Sequence, residues 1–298
     1  MQSAEGYSGG LSNPSVMLLE CMTIRLLFMK RNDGGSMSDI FVWQEKWCND
    51  IILRGIICVA AIMVECENNM SDSVKNAKKD ITVILSISII SAALYLTLEG
   101  TIMDYGRDLS HPLFLRFLPV LLIQFGMSCL GVLIVLLKNK ERLPAYGLVR
   151  KHIWQSLIGC LLVSIPTVAF LFVTNDVHGF LPFQGMFLTK EILGAPLPFN
   201  VTGYLVIALT WGFGEGLFYI VLADKINLLC RAHRFFNVGA FICAVIAIAI
   251  HGMIGFDLVT LLEAFATFIL MYGSLVIRQR TGNAWGNILI FFVVWNAL

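Results

Sequence analysis

Twenty-five consecutive residues, Phe199 to Ala223, carry one charged side chain, Glu215. About 20 apolar residues at about 1.5 Å rise per residue cover a hydrocarbon core about 30 Å thick. A run of this length therefore reads as a membrane-spanning helix. An acid in its middle costs a few kcal/mol on insertion, so such acids face the protein interior and usually serve a function. The ordinary alternative is a buried acid hydrogen-bonded to a neighbouring helix.

The remaining composition agrees with the run. Residues are 57% hydrophobic and 14% charged, with a mean hydropathy of +0.79. Those values depart in opposite directions from an ordinary soluble domain, and counting soluble domains by length does not apply. The net charge of +1 supplies no argument for nucleic acid as a partner, and none is expected. Eight cysteines are present without a C-x-x-C pair, which suggests neither a zinc knuckle nor a redox motif. Cys129, Cys160 and Cys243 lie in apolar runs, where cysteine acts as a small hydrophobe.

Residues 1–69 read as an N-terminal extension, with residues 70–298 as the membrane domain. Gly6 to Ser15 has the composition of a flexible segment, and Ile51 to Val64 is an apolar stretch short for a span, interrupted by Arg54. The membrane domain divides into spans at Ile81–Leu98, Leu113–Leu137, Ile153–Thr174, Phe199–Ala223, Phe236–Phe256 and Leu258–Ile277, with a last run from Trp285 to Leu298. Pro166 falls inside the third, where neighbouring helices can satisfy the freed carbonyl. The outer segment 175–198 carries its own apolar patch, Phe180 to Leu188, which could lie on the membrane surface or re-enter it.

Charges alternate between the connecting segments. Lys138, Lys140, Arg142, Arg150 and Lys151 follow the second span, Lys225, Arg231 and Arg234 the fourth, and Arg278 and Arg280 the sixth. Glu99, Asp104, Asp108 and Asp257 occupy the alternate loops. By the positive-inside rule the basic loops are cytoplasmic. The expectation is an all-α, polytopic transmembrane bundle of about seven or eight spans, a multi-pass integral membrane protein (of the plasma membrane in a prokaryote).

Four polar groups stand out inside the later spans: Glu215, His251, Glu263 and Asn296. At about 1.5 Å per residue, Glu215 lies roughly 14 Å from Asp224, His251 roughly 22 Å from Phe236 and Asn296 roughly 17 Å from Trp285, all measured from the basic side. Those depths overlap within the uncertainty of span ends, so the three can cluster. Glu263, close after Asp257, belongs nearer the opposite face. Gly212, Gly214 and Gly216 flank the glutamate and either let helices pack closely or open space for water or substrate. A carboxylate and an imidazole in a low-dielectric cavity can activate water, and the imidazole or an amide can stabilise an oxyanion. The structural alternatives are a histidine bonded to a carbonyl and an asparagine bonding between helices. No cofactor is required. Zinc stays open, although asparagine is not among its usual ligands.

These residues resemble the CPBP family of intramembrane proteases, which includes the CAAX-processing, bacteriocin-processing and abortive-infection proteins. The family carries Glu-Glu-x-x-x-Arg late in one span, where this chain has Glu215-Gly216-Leu217-Phe218-Tyr219-Ile220. It carries Phe-x-x-x-His in the next, where this chain has Ala247 to His251. It closes with a Thr-Gly-x-x-Trp turn into His-x-x-x-Asn, matched by Thr281 to Trp285 and by Phe292 to Asn296. The resemblance covers roughly Leu148 to Leu298. It implies catalytic roles for Glu215, His251 and Asn296, and a membrane-embedded or lipidated peptide or protein as substrate within the lipid bilayer. Gly216, Ile220, Ala247 and Phe292 depart from the pattern. Three readings follow: a peptidase with a reduced residue set, a non-catalytic relative that binds membrane peptides, and a small transporter using Glu215.

Overall fold

The structure is a computed structural model that describes residues 72–175, 179–230, 236–251 and 257–297. The expected N-terminal extension and its apolar stretch at 51–64 lie outside the described residues. Within them the chain forms helices α1 (Asp72–Arg107), α2 (Leu113–Asn139), α3 (Ile153–Thr174), α4 (Thr189–Gly194), α5 (Phe199–Leu229), α6 (Val238–Ile250), α7 (Leu258–Thr281) and α8 (Trp285–Trp295). No strand occurs among the described residues. Helices α1, α2, α3, α5 and α7 are long and apolar enough to cross a membrane; α6 and α8 are shorter apolar helices. This is a helical membrane bundle.

Local sequence explains where the helices begin and end. Asp72 in the first turn of α1 and Arg107 in its last complement the helix dipole. Asn237 caps α6 by accepting from the Ala240 N–H at 2.8 Å, and Asp257 caps α7 by accepting from the Thr260 N–H at 2.9 Å. The Thr260 N–H holds the Asp257 carboxyl below the usual carboxylate range. Gly282 terminates α7 at φ +65°, a left-handed conformation that glycine adopts without steric cost.

Helix α5 is central. Of its apolar window 67% is buried, against 11% for α1 and for α3. It packs on α1 and α6, while α7 packs on α3 and α6, and α8 on α3. Ile220, Val221 and Leu222 are fully buried in a core shared with Ile84, Met271 and Phe291. Ile90 and Leu96 on α1 and Ile158 and Leu162 on α3 point outward. Such exposure suits lipid, which solvates apolar side chains as a protein core does.

Several boundaries differ from those expected. Helix α1 spans 36 residues, so Glu99 and Asp104 continue the helix instead of forming a loop. Helices α5 and α7 run on to Leu229 and Thr281, past the first charge that follows each apolar run. Lys225 and Arg278 are therefore not loop cations: both are buried inside helices. The Lys225 ammonium donates to Asp80 Oδ2 at 2.8 Å and to Glu141 Oε1 at 2.6 Å. The Arg278 guanidinium pairs with Asp224 and donates from Nε to the Tyr146 carbonyl at 3.2 Å. A charge removed from water needs such a partner, and the partners come from other helices and loops.

The outer apolar patch folds back onto the bundle. Phe183 and Leu188 are buried, and the Phe183 ring meets Phe292 edge-on at 5.4 Å. Arg116, at the start of α2, pins the following segment through Glu191 at 2.6 Å.

Candidate functional site

Helix α5 changes its winding immediately before Glu215. Residues Ala208–Gly214 form a π-helical stretch, and Glu215 opens the regular helix after it. Two more π-helical stretches occur, Phe125–Leu130 in α2 and Phe291–Trp295 in α8, and both pack against the one in α5. Such wide turns are rare and cluster at functional sites. Three of them meet here, beside a buried carboxylate.

The flanking glycines take up the space between these stretches. A methyl group at Gly212 would fall 2.5 Å from the Phe292 ring, at Gly214 2.1 Å from Cys129 Sγ, and at Gly216 3.2 Å from Ile288 Cγ1. Each glycine thus admits a side chain from α2 or α8. The glycines serve close packing; they do not open a chamber beside the acid.

Glu215 and His251 come together. The Glu215 side chain is 10% exposed and its Oε1 lies 4.0 Å from His251 Nε2. His251 follows the end of α6, and its Nδ1 lies 2.8 Å from the Ala247 carbonyl oxygen. A carbonyl only accepts, so Nδ1 carries a proton and Nε2 faces the carboxylate. Glu215 is buried, while His251 is exposed at the end of its helix. The Trp295 ring stands edge-on to the imidazole with centroids 4.6 Å apart.

Asn296 approaches α5 but is turned elsewhere. Its Nδ2 donates to the Phe291 carbonyl at 3.0 Å and to the Trp211 carbonyl at 3.4 Å. Trp211 lies one turn before Glu215, so the amide ties α8 to the wide stretch of α5. The outer segment holds the same residues in place: the Gln184 N–H donates to the Asn296 carbonyl at 3.1 Å, and the Leu181 N–H to the Ala297 carbonyl at 3.1 Å. Glu263 is half-buried in α7, six residues past the Asp257 cap. Among the described residues no group of three or more His, Cys, Asp or Glu side chains is placed to hold a metal ion.

Sequence reasoning left out several contributors. Cys129 was legible only as a small hydrophobe and Gln184 only as part of the Phe180–Leu188 patch; the fold brings both to this region. Trp295 was legible as the neighbour of Asn296. Asn283 was one of the two unspecified positions of the Thr-Gly-x-x-Trp turn. It is fully buried, and its Nδ2 donates to the Val149 carbonyl at 2.6 Å and to the Lys151 carbonyl at 2.8 Å. Its Oδ1 accepts from the Trp285 N–H at 3.0 Å. The turn is a clamp on the loop between α2 and α3.

A second polar site lies at the basic end. Asp80, Asn139, Glu141 and Lys225 line a cleft of about 340 Å³ with Ser73 and Asn76. Burial pushes the Glu141 carboxyl up, but the Lys225 ammonium and the Tyr146 hydroxyl outweigh it and hold the carboxyl below the usual range. The Tyr146 hydroxyl, buried and bonded to Glu141, is pushed well above the usual phenol range.

No protein-family model, curated protein or solved structure matches this chain.

Proposed function

We propose that the protein is a multi-pass intramembrane endopeptidase that cleaves a membrane-bound or lipidated protein or peptide. The observation that carries this reading is the approach of the buried Glu215 carboxylate to His251, which is exposed at the end of the neighbouring helix α6. Glu215 takes a proton from water, and the resulting hydroxide attacks the scissile carbonyl carbon. The carbon–nitrogen bond breaks, and the proton passes to the leaving amine through the Glu215–His251 pair. Asn296 polarises the substrate carbonyl once its amide leaves the Trp211 oxygen. The wide turns around Gly212 and Gly214 supply the backbone irregularity that lets substrate approach an otherwise packed site.

The packing favours a second reading, a non-catalytic peptide-binding relative of such enzymes. At the positions where the CPBP pattern has its second glutamate, its arginine and its second histidine, this chain has Gly216, Ile220 and Phe292. Gly216 packs on Ile288 and Phe291, Ile220 is fully buried in the apolar core, and Phe292 covers Gly212. These positions contribute packing and no charge.

Glu215→Gln separates the readings. The change keeps shape and hydrogen bonding and removes the base. Membrane and released proteins of cells making wild type or variant are compared for new peptide termini. Termini present only with the wild type establish the peptidase. Identical termini at equal protein levels refute it and leave the binding reading.

A further inference from the structure

The buried and half-buried acids at the basic end of the bundle are paired internally. Asp80 and Glu141 both accept from Lys225, and Asp224 pairs with Arg278. Arg150, Lys151 and Arg280 are exposed and have no ion pair among the described residues. They are also fixed in place. Asn283 holds the carbonyls of Val149 and Lys151, the residues on either side of Arg150 and at Lys151 itself, and it sits three residues past Arg280. One buried amide thus gathers the three cations at a single junction of α3, α7 and α8.

The depth of that junction is marked independently. Trp154, the second residue of α3, is 73% exposed, and Trp285, the first of α8, is 38% exposed. Exposed tryptophans at helix ends sit at the membrane–water interface. Arg150 and Lys151 precede Trp154 by one turn's worth of chain, so the cations lie just outside the aromatic level, where lipid phosphates are. A topological charge signal works from any loop, ordered or not. A clamped junction whose three cations have no ion pair among the described residues does more.

We propose that this junction binds anionic membrane lipids, with Arg150, Lys151 and Arg280 contacting the headgroup phosphate. Basic residues at the headgroup plane attract anionic lipid, and each contributes about a fivefold increase in binding.

The test uses the full chain in lipid nanodiscs and reads tryptophan quenching by brominated phosphatidylglycerol or brominated phosphatidylcholine at equal mole fraction. The expected result is stronger quenching by phosphatidylglycerol, with the excess lost in the double variant Trp154→Phe, Trp285→Phe. The excess also falls by at least an order of magnitude in the triple variant Arg150→Gln, Lys151→Gln, Arg280→Gln, at about fivefold per cation. Equal quenching by both lipids overturns the proposal, as does an excess that survives the triple variant. Should that variant fail to accumulate, the wild type decides alone. Raising salt from 0.1 M to 1 M shortens the screening length from about 10 Å to about 3 Å and must erase the excess; a salt-insensitive excess overturns the proposal. Displacement by millimolar glycerol phosphate would show a soluble-phosphate site and equally overturn the assignment to lipid.

Discussion

Alanine at position 214 would place a methyl carbon 2.1 Å from Cys129 Sγ and 3.1 Å from the Leu209 carbonyl oxygen. Heavy atoms in favourable contact sit about 3.5–4.0 Å apart, so α2 and α5 must separate by about 1.5 Å or Cys129 must leave its place. Overpacking of this kind costs about 1–3 kcal/mol. The structure also names the remedy. Without Cys129 Sγ the nearest atom on that side is Cys129 Cβ at 3.7 Å, an ordinary contact. Cys129→Ala alone removes one small group and costs about 1 kcal/mol or less. The double variant is therefore more stable than the sum of the single effects, by about 1–2 kcal/mol of coupling. Recovery is incomplete, because the Leu209 carbonyl still crowds the new methyl. Reversible unfolding in mixed micelles, followed by tryptophan fluorescence, measures all four corners of the cycle. A Gly214→Ala protein as stable as wild type, or strict additivity with Cys129→Ala, would refute the close approach of α2 and α5 beside Glu215.

Two further predictions concern the polar groups at the basic end. Lys225→Met leaves Asp80 and Glu141 sharing a buried site without a cation, and breaking a buried pair in this way costs about 3–5 kcal/mol. The pH dependence also changes sign. In the wild type Glu141 is held below its ordinary pKa of about 4.3, so its stabilisation is present above that value and is lost as pH falls through the lower folded-state value. In Lys225→Met the two carboxylates repel, so unfolding midpoints rise as pH falls from 7 toward 5; a midpoint that stays flat over that range counts against a shared site. Asn283→Ala removes three buried hydrogen bonds, which at about 0.5–1.5 kcal/mol each predicts a loss of about 2–4 kcal/mol. Thermal unfolding measures the loss, and limited proteolysis is expected to cut the Lys140–His152 loop faster; a change under 1 kcal/mol with unaltered proteolysis would remove the clamp.

The helices of the long apolar runs were legible, and α3 was read to its observed bounds, because an apolar run flanked by loop signals has one stable solution in lipid; the six-residue α4 inside segment 175–198 was not. The ends of α5 and α7 were misread for a definite reason. A charge after an apolar run suggests solvent, yet Lys225 and Arg278 find carboxylates on neighbouring elements and remain inside their helices. The wide turns were not legible at all. One extra residue per turn leaves no trace in a sequence that is apolar on every face, as α5 is around Leu209 and Phe213. Glu215 and His251 were legible as a pair because ionisable groups in such runs are few, and the depth arithmetic put them within reach.

By itself, then, the sequence determined a chain of apolar helices, the end of the bundle at which its cations gather, and the few side chains able to carry chemistry. These follow from local terms: hydropathy, helix rise and the cost of an unpaired polar group in lipid. Only the tertiary structure decided what each polar group faces. It put Glu215 Oε1 4.0 Å from His251 Nε2, turned the Asn296 amide onto the Trp211 carbonyl, and buried Lys225 between two acids. Such partners lie tens of residues apart along the chain. Their pairing is set by which helices pack together and by the glycines that let them approach, neither of which any local stretch of sequence specifies.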